Sequence, residues 1–230
     1  TPPLLLTTQG LGSTADRLVV RDPRGRTATP GVQPCDQGLV VRGPVALRLD
    51  YVVDKDPAIR FLDATGDDNR IHREENIIPG ALTASKVLAL VEVLAPDLHI
   101  HDVRAKFTAP AYYGPRNFAN IRIEPQPDGR VDVAAESFFQ GDLVPKTTMT
   151  GRVVPFAERT IAVKERKVNA ESMALVESYF RALGLDPEGY FAKAGAANGR
   201  DFTFPVSFLA SLPPGEMVRR FAGQGGMLNA

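Results

Sequence analysis

An aspartate and a histidine lie five positions apart in a polar stretch between two apolar segments. They are Asp67 and His72, in the sequence GDDNRIH of residues 66–72. A reaction that moves a proton on and off water needs such a pair, with one group to hold the water and another to shuttle the proton. The stretch therefore predicts acid–base chemistry in an ordered loop.

A helix is predicted to begin shortly after this stretch, at Pro79-Gly80. The N-terminus of a buried helix offers unpaired N–H groups and the positive end of the helix dipole, and both stabilise an oxygen that gains negative charge. We favour the backbone N–H of Gly80 as this oxyanion donor. The alternative is a helix start at which no side chain fits.

Two further residues are candidates for positioning the substrate or the loop. Asn69 is expected either to orient the loop or its water, or to form a structural Asx-turn. Ser85 lies about one and a half turns into the predicted helix, where a packing role is the alternative to a functional one. The neighbouring Asp63 and Asp68 are expected to be solvated or capping carboxylates.

The order and spacing of these residues resemble a known family. The chain is similar to the MaoC-like branch of the hot-dog fold, the (R)-specific enoyl-thioester hydratases and 3-hydroxyacyl-thioester dehydratases. That family has a proline after the asparagine, whereas this chain has Arg70, and the loop between the histidine and the helix glycine is short here. The similarity is carried by Gly66, Asp67, Asn69, His72, Pro79, Gly80 and Ser85.

The resemblance implies a hydro-lyase that reversibly hydrates trans-2-enoyl thioesters or dehydrates (R)-3-hydroxyacyl thioesters. Asp67 and His72 would bind and activate the water, and the Gly80 N–H would hold the thioester oxygen. No metal or redox cofactor is implied, because the substrate arrives on coenzyme A or on the phosphopantetheine of an acyl carrier protein. Fatty-acid or polyketide metabolism is the expected setting.

Two other functions stay open at this point. A hot-dog acyl-thioesterase would keep the fold and direct a carboxylate-activated water at the carbonyl itself. A non-catalytic acyl-binding or assembly module is favoured if Arg70 and the short loop close the pocket.

Composition limits the partners and the compartment. Net charge is zero, with 27 basic and 27 acidic residues, so no charge pattern points to nucleic acid or to an anionic membrane. No apolar run approaches the roughly 18 residues that a membrane span needs. The single cysteine, Cys35, is compatible with a reducing compartment, and we expect a cytoplasmic protein. Because the first residue is Thr1, we expect a processed, tagged or excised chain.

Hydrophobic periodicity predicts an α+β unit over residues 44–156, in the order of a hot-dog fold. Residues 45–51 alternate between apolar and polar side chains, which is typical of a strand with one buried face. Residues 81–94 are apolar around nearly the whole helix, interrupted by Lys86 and Glu92, and such a helix is buried. Four more strands are predicted at residues 101–108, 117–124, 131–139 and 147–154.

The sequence His99-x-His101-Asp102 contains residue types that can be metal ligands. Two histidines at alternate positions of a strand share a face and could bind Zn²⁺. Further ligands would have to come from elsewhere, and no cysteine is near. We predict no metal and an ordinary polar strand start.

Residues 157–230 are predicted to repeat part of the first unit without its chemistry. A strand at 161–168, a helix at 170–183 capped by Asn169, a loop and a second helix follow in the same order as before. With Gly184 aligned on Gly66, the positions of the candidate site residues are occupied differently. In this alignment Leu185 takes the position of Asp67, Tyr190 that of His72 and Val206 that of Gly80.

Residues 1–43 contain short strand-like pieces separated by turn signals, and no helical period. The second copy ends where its return strands should begin, which suggests that 1–43 and 157–230 together form a degenerate second hot dog. The alternatives are strand exchange with a second chain and a truncated chain. The expected assembly is accordingly a pseudo-dimer or a homodimer of hot-dog units.

Overall fold

The structure is a computed structural model, and it describes residues 4–7, 17–21, 32–35, 38–95, 98–139, 141–155, 170–186, 188 and 205–213. The predicted strand at 161–168, its neighbour Asn169 and Tyr190 lie outside these ranges. The side chains of His99 and His101 also lie outside the described part, although both residues belong to a strand.

One six-stranded antiparallel sheet forms the body of the described fold. Its strand order is β2-β5-β9-β10-β11-β7. The strands are β2 (Arg17–Arg21), β5 (Val45–Val52), β7 (Leu98–Phe107), β9 (Arg116–Pro125), β10 (Val131–Phe139) and β11 (Thr147–Pro155).

The local sequence explains the register of these strands. In β5 every second side chain is buried, so one face of the strand meets the core, as the alternating pattern predicts. The turn between β9 and β10 closes through Gln126 N–H to the Arg130 carbonyl at 2.7 Å. Gly129 adopts a positive φ of 86° there, which favours glycine. The predicted strands at 117–124 and 131–139 are thus joined as an antiparallel hairpin.

A long helix, α3 (Gly80–Leu94), lies against this sheet, where it packs on β7 and β11. Thirteen of its fifteen residues are buried. An antiparallel sheet around a buried central helix is the hot-dog architecture, so the predicted α+β fold is confirmed. A short pair of strands, β6 (Ile77–Ile78) and β8 (Ala111–Tyr112), lies at the start of α3.

Two helices precede α3 and carry the candidate polar stretch. They are α1 (Lys55–Thr65) and the single-turn α2 (Arg70–Arg73). His72 therefore lies in a helical turn, whereas the sequence predicted an ordered loop. Gly66 ends α1 in a left-handed conformation one residue before Asp67, and the Asn69 side chain caps the start of α2.

The described strands of residues 1–43 have two different partners. β1 (Leu4–Thr7), β3 (Val32–Cys35) and β4 (Gly38–Val41) form a separate three-stranded sheet in the order β1-β4-β3. β2 pairs instead with β5 and so extends the main sheet by one strand. The role of 1–43 in completing a second hot dog stays a hypothesis.

Two helices of the C-terminal segment pack on the first unit. α4 (Ala170–Ala182) contacts α1, and α5 (Val206–Ser211) contacts α3. The Tyr179 ring of α4 lies 5.7 Å from the Phe61 ring of α1 and 5.3 Å from the Phe208 ring of α5. Each helix of the proposed repeat therefore contacts its counterpart in the first copy.

The two charged residues inside α3 are buried because they bond to this C-terminal segment. Lys86 Nζ donates to the Leu183 carbonyl at 2.8 Å. The Glu92 carboxylate accepts from the Ser207 N–H at 3.1 Å and from the Ser207 hydroxyl, at the start of α5. Burial is the main cause that raises the pKa of Glu92 to about 7, and the Ser207 hydrogen bonds oppose it.

We predict that Glu92 makes stability depend on pH between about 4.5 and about 7. In this range folded Glu92 keeps its proton while the unfolded side chain, with an ordinary pKa of 4.5, loses it. The free energy of unfolding should therefore fall as pH rises through this range, by up to about 3 kcal/mol at about 1.4 kcal/mol per pKa unit. Urea unfolding at a series of pH values measures the effect.

Glu92→Gln should remove this slope, since an amide keeps an acceptor for Ser207 without titrating. The exposed Glu136 supplies the control substitution, Glu136→Gln, which should leave the pH profile of the parent in place. Parallel profiles for the parent and Glu92→Gln would contradict the assignment.

Candidate active site

The end of α1 positions Asp67. Gly66 has φ 72° and donates its N–H to the Asp63 carbonyl, while Asp67 N–H donates to the Leu62 carbonyl at 2.9 Å. This pair of bonds is a Schellman motif, which satisfies the last carbonyls of the helix and fixes the residue that follows the glycine. The backbone of Asp67 is thus held by α1.

Two Asx-type hydrogen bonds fix the backbone between Asp67 and His72. Asp67 Oδ1 accepts from the Asn69 N–H at 3.0 Å, and Asn69 Oδ1 accepts from the Ile71 N–H at 3.2 Å. Asn69 is exposed and acts as the N-cap of α2, which is the structural role weighed for it in the sequence. One turn of helix then separates this cap from His72.

The His72 ring is oriented by a backbone carbonyl. Its Nδ1 lies 3.1 Å from the Ile77 carbonyl oxygen. Because a carbonyl only accepts, Nδ1 bears the proton in this contact, and neutral His72 presents an unprotonated Nε2. A histidine in this tautomer can take a proton from water.

Two residues that the sequence analysis missed brace this region. The Tyr113 hydroxyl donates to the His72 carbonyl at 3.0 Å. Arg73 donates to the Asp67 carbonyl at 2.8 Å through one guanidinium nitrogen, and pairs with the Asp63 carboxylate at 2.9 Å. Burial and then the charge of Asp67 raise the pKa of Tyr113, so the Asp67 carboxylate acts on this hydroxyl. Tyr113 is distant in sequence, and no local pattern marks it.

The start of α3 has the free donor that an oxyanion needs. Gly80 N–H makes no hydrogen bond to any residue in the described ranges. A Cβ built on Gly80 would lie 2.7 Å from a ring atom of Phe107, so a side chain also fails to fit there. Both interpretations weighed for Gly80 are compatible with this geometry.

A cavity of about 380 Å³ opens at this helix start, within the usual range for small-ligand sites. His72 and Gly80 line the same cavity, whereas Asp67 is not among its lining residues. Its walls also include Thr83, Phe107, Thr108 and Thr147. The cavity is therefore lined by an imidazole, a backbone N–H and threonine hydroxyl groups.

Ser85 lies away from this cavity. It is buried at 2% exposure inside α3, and its hydroxyl acts on the buried Tyr179 of α4. Ser85 is therefore a residue of the interface between the two segments.

Within the described part of the chain, no group of three or more His, Cys, Asp or Glu side chains could hold a metal ion.

The proposed repeat in residues 157–230 has two backbone features in common with the candidate site, and different side chains at the corresponding positions. Pro205 before α5 has φ −58° and ψ 132°, against −58° and 130° for Pro79 before α3. Leu185 N–H donates to the Phe180 carbonyl at 3.0 Å, in the manner of Asp67 and Leu62. Leu185 is buried, and Glu92 occupies the start of α5 through Ser207.

No protein-family model matches this chain, and no characterised protein sequence does. No helix in the described ranges is both long and apolar enough to cross a membrane.

Similar folds are found among solved structures. An (R)-hydratase from A. caviae involved in PHA biosynthesis is 18% identical, with 50% of this chain and 97% of that chain covered and a TM-score of 0.45. The C-terminally truncated HadBC (3R-hydroxyacyl-ACP dehydratase) complex from Mycobacterium tuberculosis is 15% identical, with 46% and 90% covered and a TM-score of 0.38. A putative thioesterase from Ralstonia eutropha, a phenylacetic acid degradation-related protein, is 20% identical, with 47% and 74% covered and a TM-score of 0.33.

By their descriptions, these structures are a hydratase, a dehydratase complex and a putative thioesterase. The hot-dog assignment rests on the sheet order and the buried helix of this chain, and the reaction is a separate question.

We predict that Tyr113→Phe lowers the free energy of unfolding by about 1 kcal/mol, the usual net contribution of one hydrogen bond. The ring stays in place while the His72 carbonyl loses its donor. Tyr112→Phe is the matched control, since Tyr112 is 41% exposed, and it should change stability by less than about 0.5 kcal/mol. Equal effects of the two substitutions in urea unfolding would contradict the role of the Tyr113 hydroxyl.

Proposed function

We propose that this chain is a hydro-lyase that adds water to trans-2-enoyl thioesters and removes it from (R)-3-hydroxyacyl thioesters. The observation that supports the proposal is the shared cavity of His72 and Gly80. One wall offers a histidine whose Nδ1 donates to a backbone carbonyl, and the other offers a backbone N–H at the start of a buried helix, which has no partner among the described residues. Proton transfer and oxyanion stabilisation are the two functions that the reaction requires.

In hydration, Asp67 and His72 bind one water molecule. The member of the pair that is unprotonated takes a proton from the water as its oxygen bonds to C3, and the member that is protonated delivers its proton to C2. The C2–C3 double bond becomes single, so the balance is one added water. A proton exchange between the pair and solvent restores both groups.

The Gly80 N–H would stabilise the thioester oxygen as enolate character develops during this step. A donor of this kind is often worth about 3–4 kcal/mol in the transition state. The positive end of the α3 dipole acts in the same direction.

The acyl group would arrive on coenzyme A or on an acyl carrier protein. Both carriers present phosphate groups. Arg104 and Lys106 are exposed at alternate positions of β7, on one face of the strand that ends at the cavity. They are the candidate partners for a carrier phosphate.

The test is loss of the enoyl-thioester absorbance when the protein is mixed with crotonyl-coenzyme A. The parent should hydrate the substrate, and both Asp67→Asn and His72→Ala should lower kcat by at least about 100-fold, as expected when an acid–base group is removed. Asp68→Asn is the matched control, because Asp68 is the exposed neighbour of Asp67, and it should stay within about threefold of the parent.

Three other outcomes would overturn the proposal. Release of free thiol without hydration would indicate a thioesterase. Hydration that persists in both variants would place the acid–base groups elsewhere. Absence of turnover with short and long acyl chains on both carriers would favour an acyl-binding module.

A further inference from the structure

Phe107 is an apolar side chain that the fold leaves half uncovered at the cavity. It is 53% exposed, although it lines the cavity beside Thr108 and Thr147. Most aromatic side chains of this size are largely buried, since each carries a large apolar area. An exposed aromatic ring on a cavity wall is therefore positioned to contact a ligand.

The backbone of Phe107 is fixed on both sides. Phe107 pairs with Thr147 at the end of β7. The next residue, Thr108, donates its N–H to the Lys146 carbonyl at 2.9 Å and its hydroxyl to the Lys146 carbonyl at 3.0 Å. The ring thus projects from a held strand end, so it forms a wall of defined position.

The ring covers the start of α3. Three of its atoms lie 2.7, 2.9 and 2.9 Å from the position that a Cβ on Gly80 would take. In a helix the Cα–Cβ direction tilts toward the N-terminus, which is also the direction in which the first N–H groups point. Phe107 therefore lies at the N-terminal end of α3, on the side of Gly80 toward which the first N–H groups point.

This placement has a consequence for the substrate. An oxygen held by the Gly80 N–H lies about 2.9 Å from the nitrogen, and C2 of the acyl group is two bonds from that oxygen. C2 then comes next to the Phe107 ring. A hydrogen on C2 fits beside the ring, whereas a methyl group competes with it for space.

We propose that Phe107 determines specificity at C2, admitting straight-chain 2-enoyl thioesters and excluding those with a methyl branch at C2. The inference rests on the proposed function and names the substrate class of that same site. Asp67 and His72 perform the proton transfers, and Phe107 sets which acyl groups reach them.

The test compares kcat/KM for trans-2-methylbut-2-enoyl-coenzyme A with kcat/KM for crotonyl-coenzyme A. Phe107→Ala should raise the ratio of branched to straight substrate at least about tenfold, the lower end of what one methyl group is worth in a shaped pocket. Phe107→Leu should raise it less, and it keeps an apolar side chain if the alanine variant fails to fold. Tyr112→Ala, an exposed aromatic that does not line the cavity, should keep the ratio of the parent.

A ratio within twofold of the parent in both Phe107 variants would overturn the inference while leaving the proposed function intact. If the parent does not hydrate crotonyl-coenzyme A, the proposed function fails and this inference fails with it. The two failures are therefore distinguishable in one set of assays.

A double substitution tests the contact itself. Gly80→Ala places a methyl group against the ring and should lower crotonyl-coenzyme A turnover, although the N–H is still present. Adding Phe107→Ala removes the obstacle and should recover at least about tenfold of the loss. No recovery in the double variant would mean that the ring does not occupy this space.

Discussion

The described fold depends on covering one helix on every side. Thirteen of the fifteen residues of α3 are buried, and a helix that is apolar around its circumference is stable only when no side faces water. The sheet contributes β7 and β11 to one side, and α5 packs on another. Each buried aliphatic side chain contributes about 1.5–3 kcal/mol to the free energy of unfolding. Burial of α3 therefore stabilises both its contact with the sheet and its contact with α5. The cavity with His72 lies at the one end of α3 where the covering is incomplete.

The polar interruptions of α3 show how the two segments are joined. Lys86 donates to the carbonyl of Leu183, and Glu92 accepts from the start of α5. Removing either charge from water is costly, and hydrogen bonds to backbone groups offset part of the cost. The start of α5 follows Pro205, whose backbone angles match those of Pro79 before α3, and the Glu92 carboxylate binds there. The two helix starts therefore have similar backbones, and among the described residues only the start of α5 binds a carboxylate of the other helix.

Some residues of the candidate site are positioned by hydrogen bonds to their sequence neighbours, and others by contacts with residues distant in sequence. Gly66, Asp67 and Asn69 are each held by hydrogen bonds to residues two to five positions away, so their types and spacing predict their arrangement. The orientation of the His72 ring depends on the Ile77 carbonyl, and the turn that bears it depends on Tyr113, the residue that follows β8. Nothing in the local sequence predicts the Tyr113 contact, because β8 reaches the site only through its pairing with β6.

The sequence by itself determined the α+β class, the buried helix, the strand order along the chain and the segment in which the candidate site residues Asp67 and His72 lie. These follow from side-chain periodicity and helix caps, which act over a few residues. Only the tertiary structure decided that Phe107 covers Gly80, that Ser85 faces α4 instead of the cavity, and that Glu92 is buried against Ser207. Such contacts join residues far apart in sequence, and their partners are set by how the sheet and helices pack.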